Sequence, residues 1–210
     1  MRPFTPPALA ALAVLLGLGA CAQTEYGVSA AYSTEAVDPP AVTVPANAPS
    51  IFQQFRRLTH DNEARGKEGD HIGIDIRGPK GFPILAAAPG VVVKSYFEPG
   101  YGQRVEIDHA PDAKGRVYRT RYLHLSSRDV TEGDHVARGQ QIGGMGNSGT
   151  FSGGLTHLHF ELFLKWDNGW IEPTDPNLRW YDGVGRVTCF DPARQSAGTG
   201  AGFTYPVPCR

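Results

Sequence analysis

The stretch THLHFEL, residues 156–162, decides the fold of this chain. Polar and apolar residues alternate along it, which predicts a β-strand with one face toward a hydrophobic core. Leu158 and Phe160 then face that core. Positions two apart on a strand project from the same face about 6.6 Å apart, so His157 and His159 can converge on one metal-centred cavity.

Two earlier segments carry side chains of matching chemistry, namely HIGID at 71–75 and YLH at 122–124. Two imidazoles and one carboxylate suit a three-ligand zinc site that keeps one coordination position open for water. Two further imidazoles then remain to transfer protons. This set of side chains is typical of a metallohydrolase. Glu161 projects from the same strand face as the histidines, either as a partner of a metal ligand or in a surface salt bridge.

The spacing of His71 and Asp75 places a demand on the backbone. A straight strand separates positions four apart by about 13 Å, which is too far for two ligand bonds of about 2 Å each. We therefore expect the chain to bend between them, and Gly73 supplies the conformational freedom. Ile72 and Ile74 argue against a helix, on which positions four apart would share a face.

Five segments between about Gly69 and about Pro176 occur in a fixed order: HIGIDIRGPKGFPILAAAPGVVV, YGQRVEIDHA, TRYLHLS, VARGQQIGGMGNSG and THLHFEL. Together they resemble the lysostaphin/LytM-type zinc metallopeptidases, which cut peptide cross-links of bacterial peptidoglycan. The chain departs from the family's frequent Gly-Pro before the HxH motif, because residues 152–156 read SGGLT and form a slightly longer loop at the cleft.

The resemblance implies a role for each of five side chains. His71, Asp75 and His159 are expected to bind Zn²⁺, and His124 and His157 are expected to form the catalytic pair. The sequence does not decide whether His124 or His157 is the general base.

These histidines also fit other sites and roles. Two histidines and one carboxylate also form the facial triad of non-haem iron oxygenases. The additional His124 and His157 favour hydrolysis, and an export signal argues against cytoplasmic co-substrates. His60, His109 and His135 stand beside Asp or Thr in expected loops and are assigned to surface or core roles.

The N-terminal residues 1–20 have the pattern of a signal peptide. Their apolar stretch, Ala8 to Ala20, has 13 residues and is too short for a membrane span, which needs about twenty. Small residues before Cys21 resemble a bacterial lipobox, which implies lipidation of that cysteine and anchoring of an exported protein to a membrane. Without an Asp after Cys21, the periplasmic face of the outer membrane is favoured over the inner one. The alternative is an ordinary signal peptide that ends at a chance cysteine.

The remaining sequence divides into three parts. Residues 21–50 lack periodicity and predict a flexible, lipid-anchored tether. Residues 51–182 form the expected catalytic domain, and residues 183–210 a C-terminal extension. Cys189 and Cys209 could close a disulfide in an oxidising compartment, the alternative being two free thiols.

The domain is expected to be mainly β. Residues 51–62, IFQQFRRLTHDN, have apolar positions at helical spacing and predict one short N-terminal helix. Strands are expected at 86–96, 103–109, 117–125 and 157–166, separated by turn-forming residues. Strand after strand without long helices predicts an antiparallel β-sandwich or partly open barrel, and the resemblance implies a duplicated-hybrid-motif-like fold.

Charge and composition limit the partners. A formal net charge of −1 gives no sign of nucleic-acid binding. Peptidoglycan is the expected partner, with the membrane reached through the lipid anchor, and hydrolysis of a cross-link amide bond is the expected reaction. The rival function is that of a non-catalytic wall-binding or amidase-activating protein, which typically lacks part of the zinc constellation.

Overall fold

A computed structural model of the protein describes residues 40–55, 71–195 and 202–210. Within them the chain is almost entirely β. The strands are β1 Ile51–Gln53, β2 Gly73–Arg77, β3 Pro83–Leu85, β4 Gly90–Glu98, β5 Gly102–His109, β6 Val117–Leu125, β7 Ser127–Arg128, β8 His135–Val136, β9 Gln141–Gly144, β10 His157–Lys165 and β11 Ile171–Thr174. Two 3₁₀ turns, Thr150–Ser152 and Pro176–Leu178, and one short helix, α1 Pro192–Gln195, complete the described elements.

Two antiparallel sheets organise these strands. The large sheet has the order β1-β2-β10-β6-β5-β4-β8, and the small sheet has the order β3-β9-β7. Strand β10 is central, because one of its edges pairs with β6 and the other pairs first with β2 and then with β11. Neither sheet closes into a barrel. The prediction of a mainly β, antiparallel domain is confirmed.

The two faces of β10 differ as the alternation requires. Leu158, Phe160 and Leu162 are fully buried in the hydrophobic core. The Phe160 ring packs against Tyr122 and Trp180, with ring centroids 5.3 and 6.4 Å apart. The opposite face of the strand is therefore free to present its polar side chains.

The chain packs against the domain beyond both ends of the predicted catalytic segment. On the N-terminal side, which the sequence assigns to the tether, Thr43 donates its N–H to the Gly185 carbonyl at 2.8 Å, and Val42 and Val44 pack on the core. On the C-terminal side, Phe203, Tyr205 and Val207 belong to the core, and Cys189 forms a disulfide with Cys209. The apolar residues of both segments explain this packing, because removing their side chains from water stabilises the folded protein.

The helix predicted over residues 51–62 is wrong in its first part. Ile51–Gln53 form strand β1, which pairs with β2 through Ile51 opposite Ile76 and Gln53 opposite Asp75. Pairing with the edge of β2 satisfies backbone groups that a lone turn of helix would leave open. Residues 56–62 lie outside the described residues, so the rest of that prediction is not addressed.

No described helix is both long enough and apolar enough to cross a membrane. The expected signal peptide and Cys21 lie outside the described residues.

His109 plays a structural part at the end of β5. Its Nδ1 donates to the Pro89 carbonyl at 2.9 Å, and its Nε2 lies 2.8 Å from Thr120 Oγ1. The ring also packs edge-on against Phe203. Burial lowers the pKa of His109 to about 4, so the ring is neutral at physiological pH.

Stability should fall on acidification because of this ring. The unfolded chain takes up the proton near the ordinary pKa of about 6.5, whereas the folded protein resists it until about 4. The unfolded state thus binds more protons within that window, and His109 should withdraw about 3 kcal/mol from the free energy of unfolding as the pH falls through it. Urea unfolding across this pH range should show a smaller acid loss in His109→Gln than in the wild type.

The matched control is His135→Gln, because His135 is exposed. It should follow the wild-type pH dependence. Parallel pH curves for His109→Gln and the wild type would contradict the assignment.

Candidate active site

Three donor side chains meet where β2 and β10 pair. Asp75 of β2 stands directly opposite His159 of β10, and its Oδ1 lies 2.7 Å from the ring Nδ1. His71 precedes β2, and its Nε2 lies 3.1 Å from His159 Nδ1 and 3.2 Å from Asp75 Oδ1. The structure therefore brings together the three residues expected as metal ligands.

This donor set fits Zn²⁺. Bonds of about 2.0–2.1 Å to nitrogen and oxygen in a tetrahedral site place neighbouring ligand atoms about 3.3 Å apart. The three atoms here form a triangle with edges of 2.7, 3.1 and 3.2 Å, close to that spacing. Two imidazoles with one carboxylate also leave a coordination position for water or substrate.

Hydrogen bonds to other parts of the protein fix which ring nitrogen of His71 and of His159 faces the candidate metal site. His71 Nδ1 donates a hydrogen bond to the Gln54 carbonyl at 2.8 Å, which leaves Nε2 as the nitrogen that can bind a metal. His159 Nε2 lies 3.2 Å from Glu161 Oε1, which leaves Nδ1 directed at Asp75. Such partners orient the rings of metal-binding histidines and increase their basicity.

The partner of His71 is itself anchored outside the expected catalytic strands. The Gln54 side-chain oxygen accepts a hydrogen bond from Asn177 Nδ2 at 2.9 Å. Asn177 is only 1% exposed, and its own side-chain oxygen accepts from Trp180 Nε1 at 3.0 Å. The sequence analysis did not identify Gln54, because any residue type supplies a backbone carbonyl. It also did not identify Asn177, which reaches His71 only through Gln54.

The expected catalytic pair lies beside the ligand group. The His124 and His157 rings are 4.9 Å apart between centroids, and His157 Nε2 is 3.7 Å from Asp75 Oδ1. Each ring donates its Nδ1–H to a backbone carbonyl, of Ser148 at 2.9 Å and of Leu155 at 3.0 Å respectively. Both rings thus keep an unprotonated Nε2, as a general base requires.

A bulge in β6 turns His124 toward this pair. The β5–β6 pairing passes from Val105 opposite Tyr122 to Gln103 opposite Leu125, so β6 carries one extra residue there. Tyr122 and Leu125 both enter the core, although regular alternation would place them on opposite faces. His124 absorbs the irregularity with a φ of 63°, the only positive φ of a non-glycine residue in the described ranges. Without the bulge, its side chain would share the core face of Tyr122.

The bend expected at Gly73 is not what this glycine supplies. Gly73 lies in β2 and pairs regularly with Glu161. A Cβ at this position would lie 2.5 Å from the Phe160 carbonyl oxygen and 2.9 Å from His159 Nε2. Glycine is required because the neighbouring strand and the ligand ring approach so closely.

The electrostatics of the site separate the histidines. Burial alone would raise the pKa of the Asp75 carboxyl, but hydrogen bonds from His159 and His71 hold it well below its usual value. Burial alone would lower the pKa of His159, but its hydrogen bonds to Asp75 and Glu161 raise it to about 9. Zn²⁺ at this site would require the His159 Nδ1 that faces Asp75 to be free of its proton.

The pKa values of the expected catalytic pair, His124 and His157, are shifted downward. Burial lowers the pKa of His124 to about 4, and burial likewise lowers that of His157. Both rings are neutral near pH 7 and can accept a proton, as bases must.

Aromatic side chains form one wall of the cleft. Phe151 packs edge-on against Tyr101 at 5.2 Å, and Tyr101 lies 6.2 Å from the His124 ring. The 3₁₀ turn that carries Phe151 is joined to the β4–β5 turn, since its N–H donates to the Gly100 carbonyl at 2.9 Å. Phe151 is nevertheless 67% exposed, so it stands at the rim of the cleft.

The antiparallel sheet and the His71, Asp75 and His159 donor set are those of a metallopeptidase-type domain with a candidate Zn²⁺ site. The sequence model of peptidase family M23 matches residues 69–173, half of the chain. The chain belongs to peptidase family M23.

Individual relatives match parts of this chain. Peptidoglycan DD-endopeptidase ShyA of Vibrio cholerae serotype O1 is 43% identical over 95 residues, which cover 45% of this chain and 20% of ShyA. Murein hydrolase activator NlpD of Escherichia coli K12 is 41% identical over 99 residues, which cover 47% of this chain and 24% of NlpD. The crystal structure of a zinc-containing peptidase from Vibrio cholerae aligns with 28% identity and a TM-score of 0.47, over 68% of this chain and 42% of that one. The chain thus spans a fifth to a quarter of the length of ShyA and NlpD.

The backbone of His124 generates a prediction about stability. A left-handed conformation strains an alanine by about 1 kcal/mol but not a glycine, so metal-free His124→Gly should be more stable than metal-free His124→Ala by about that amount. Chemical denaturation of the two variants measures the difference.

Val117, at the regular start of β6, provides the matched pair. There the glycine variant should be the less stable one, because glycine weakens an ordinary strand. If the glycine variant were the less stable one at position 124 as well, His124 would carry no backbone strain.

Proposed function

We propose that this protein is a zinc-dependent endopeptidase that hydrolyses amide bonds in the peptide cross-links of peptidoglycan. The observation that carries the proposal is the convergence of His71, Asp75, His159, His124 and His157 on one cleft, each imidazole with one nitrogen held by the protein and the other turned inward. Membership of family M23 supports the reaction class.

The chain's residues divide the work of the reaction. His71, Asp75 and His159 would hold Zn²⁺, which when bound polarises a carbonyl and lowers the pKa of water toward neutrality. His157 is the proposed general base, because its Nε2 lies 3.7 Å from Asp75 Oδ1. His124, whose Nδ1 donates to the Ser148 carbonyl, would orient the attacking water or donate to the developing oxyanion.

A non-catalytic, amidase-activating function is the second candidate. The identity to the activator NlpD supports it. The completeness of the five-residue constellation and the neutral state of both buried bases favour the enzyme.

The site of action is the cell envelope. We infer that Cys21 is lipidated and anchors the protein at the periplasmic face of a membrane, with the outer membrane favoured. There the domain would meet peptidoglycan as its polymeric substrate.

Zinc content and cleavage should separate the two groups of residues. Asp75→Asn and His159→Ala should lose most zinc, since each removes one of only three protein ligands. His157→Ala and His124→Ala should keep zinc but lose cleavage, His157→Ala by about 10²–10⁴-fold, the usual contribution of a positioned base. Metal analysis and digestion of purified sacculi on the same preparations test both points.

His135→Ala is the control, as an exposed histidine outside the cleft, and should match the wild type in both assays. Near-normal cleavage by His157→Ala would refute the mechanism, and loss of its zinc would make His157 a ligand. A zinc-loaded wild type that leaves sacculi intact but stimulates an amidase would favour the activator. Mass analysis of released muropeptides would name the bond that is cut.

Anchoring can be tested apart from catalysis. Cys21→Ser should move the protein from the detergent-soluble membrane fraction to the soluble periplasmic fraction and leave cleavage in vitro unchanged, because Cys21 precedes the described domain. Metabolic labelling with a palmitate analogue gives the direct measurement. Wild-type protein without incorporated lipid would refute the anchor.

A further inference from the structure

Glu161 is a buried carboxylate two residues beyond His159 on the polar face of β10. It is 2% exposed, and its Oε1 lies 3.2 Å from His159 Nε2. This contact uses the ring nitrogen that faces away from Asp75. The expected alternative of a surface salt bridge does not describe a side chain so deeply buried.

The position of Glu161 is fixed from both neighbouring strands. On the β2 side it stands opposite Gly73, where the missing side chain leaves room for the His159 ring. On the β6 side it stands opposite Arg121, whose Nη1 lies 3.4 Å from Glu161 Oε2. Each carboxylate oxygen therefore has its own partner, one the imidazole and the other the guanidinium.

The guanidinium is held in turn. Arg121 Nε lies 3.3 Å from Glu106 Oε2, and the guanidinium carbon is 4.1 Å from the centre of the Phe163 ring. Glu106 is fully buried and also bonds Arg104 at 2.6 Å. The carboxylate thus belongs to a row of alternating charges across the polar face of the sheet, which compensates its burial.

We propose that Glu161 is a positioning residue of the zinc site. It holds His159 as the tautomer protonated at Nε2 and so presents the Nδ1 lone pair to the metal. A carboxylate acceptor makes this hydrogen bond stronger than a neutral acceptor would and makes the opposite nitrogen a better ligand. The inference rests on the proposed zinc site but not on hydrolysis.

Zinc affinity of Glu161 variants tests the proposal. In competition with a chromophoric chelator, Glu161→Leu should raise the Kd for zinc by about 10–100-fold, the usual effect of losing such a partner. Glu161→Gln should restore most of the affinity, because its amide oxygen still accepts the hydrogen bond. Rescue by glutamine distinguishes an acceptor from a residue that merely fills space.

Glu172 of β11 is the matched control, since it is a buried glutamate that accepts from Trp166 Nε1 instead of a metal ligand. Glu172→Leu should leave the Kd for zinc unchanged. Denaturation of the metal-free proteins shows how much each variant loses in stability alone. A Glu161→Leu protein with wild-type zinc affinity, or a Glu172→Leu protein with an equal loss, would overturn the proposal.

A spectroscopic measurement on the wild type does not depend on whether a variant folds. In the zinc-loaded protein, ¹⁵N NMR of the histidine rings should show a proton on Nε2 of His159. A proton on Nδ1 instead would refute the assignment. If the wild type binds no zinc the zinc site itself fails, whereas failure to cleave sacculi with these zinc results intact would affect only the proposed reaction.

Discussion

The pairing of β2 with β10 is the constraint on which the rest of the site depends. Its register places Asp75 opposite His159 and leaves Ile74 and Ile76 facing the core with Leu158 and Phe160. A slip of one residue would reverse both faces of a strand, so core packing and metal geometry select the same register. Burying the apolar side chains therefore also brings Asp75 and His159 together, and hydrogen bonds to Gln54 and Glu161 then orient the His71 and His159 rings.

Much of the fold and of the candidate site could be predicted from the sequence, because the decisive pattern is local. Alternation in residues 156–162 predicts both the strand and its polar face. The resemblance to a known family then assigned His71 and His124, from distant segments, to the same site. The predicted helix at 51–62 failed at its start because apolar spacing over so short a stretch does not separate a helix from an edge strand. There, pairing with β2 outweighed local preference.

The parts that could not be predicted are matters of backbone. The carbonyls of Gln54, Ser148 and Leu155 set the tautomers of three histidines, and any residue type would supply the same oxygen. The bulge that turns His124 into the cleft also has no residue signature, since the φ of 63° falls on a histidine instead of a glycine. Gly73 shows the reverse case, in which the residue was noticed but the reason for it lies on a neighbouring strand.

The segments that flank the family match determine where this chain can be truncated without loss of structure. Strand β1 and the buried Trp180 and Tyr205 all lie outside residues 69–173, yet they complete the sheet edge and the core. A fragment with its ends at the family boundaries would expose the edge of β2 and remove the Gln54 carbonyl from His71. A segment that keeps these contacts therefore has to include Val42, which packs on the core, at one end and the disulfide cysteine Cys209 at the other.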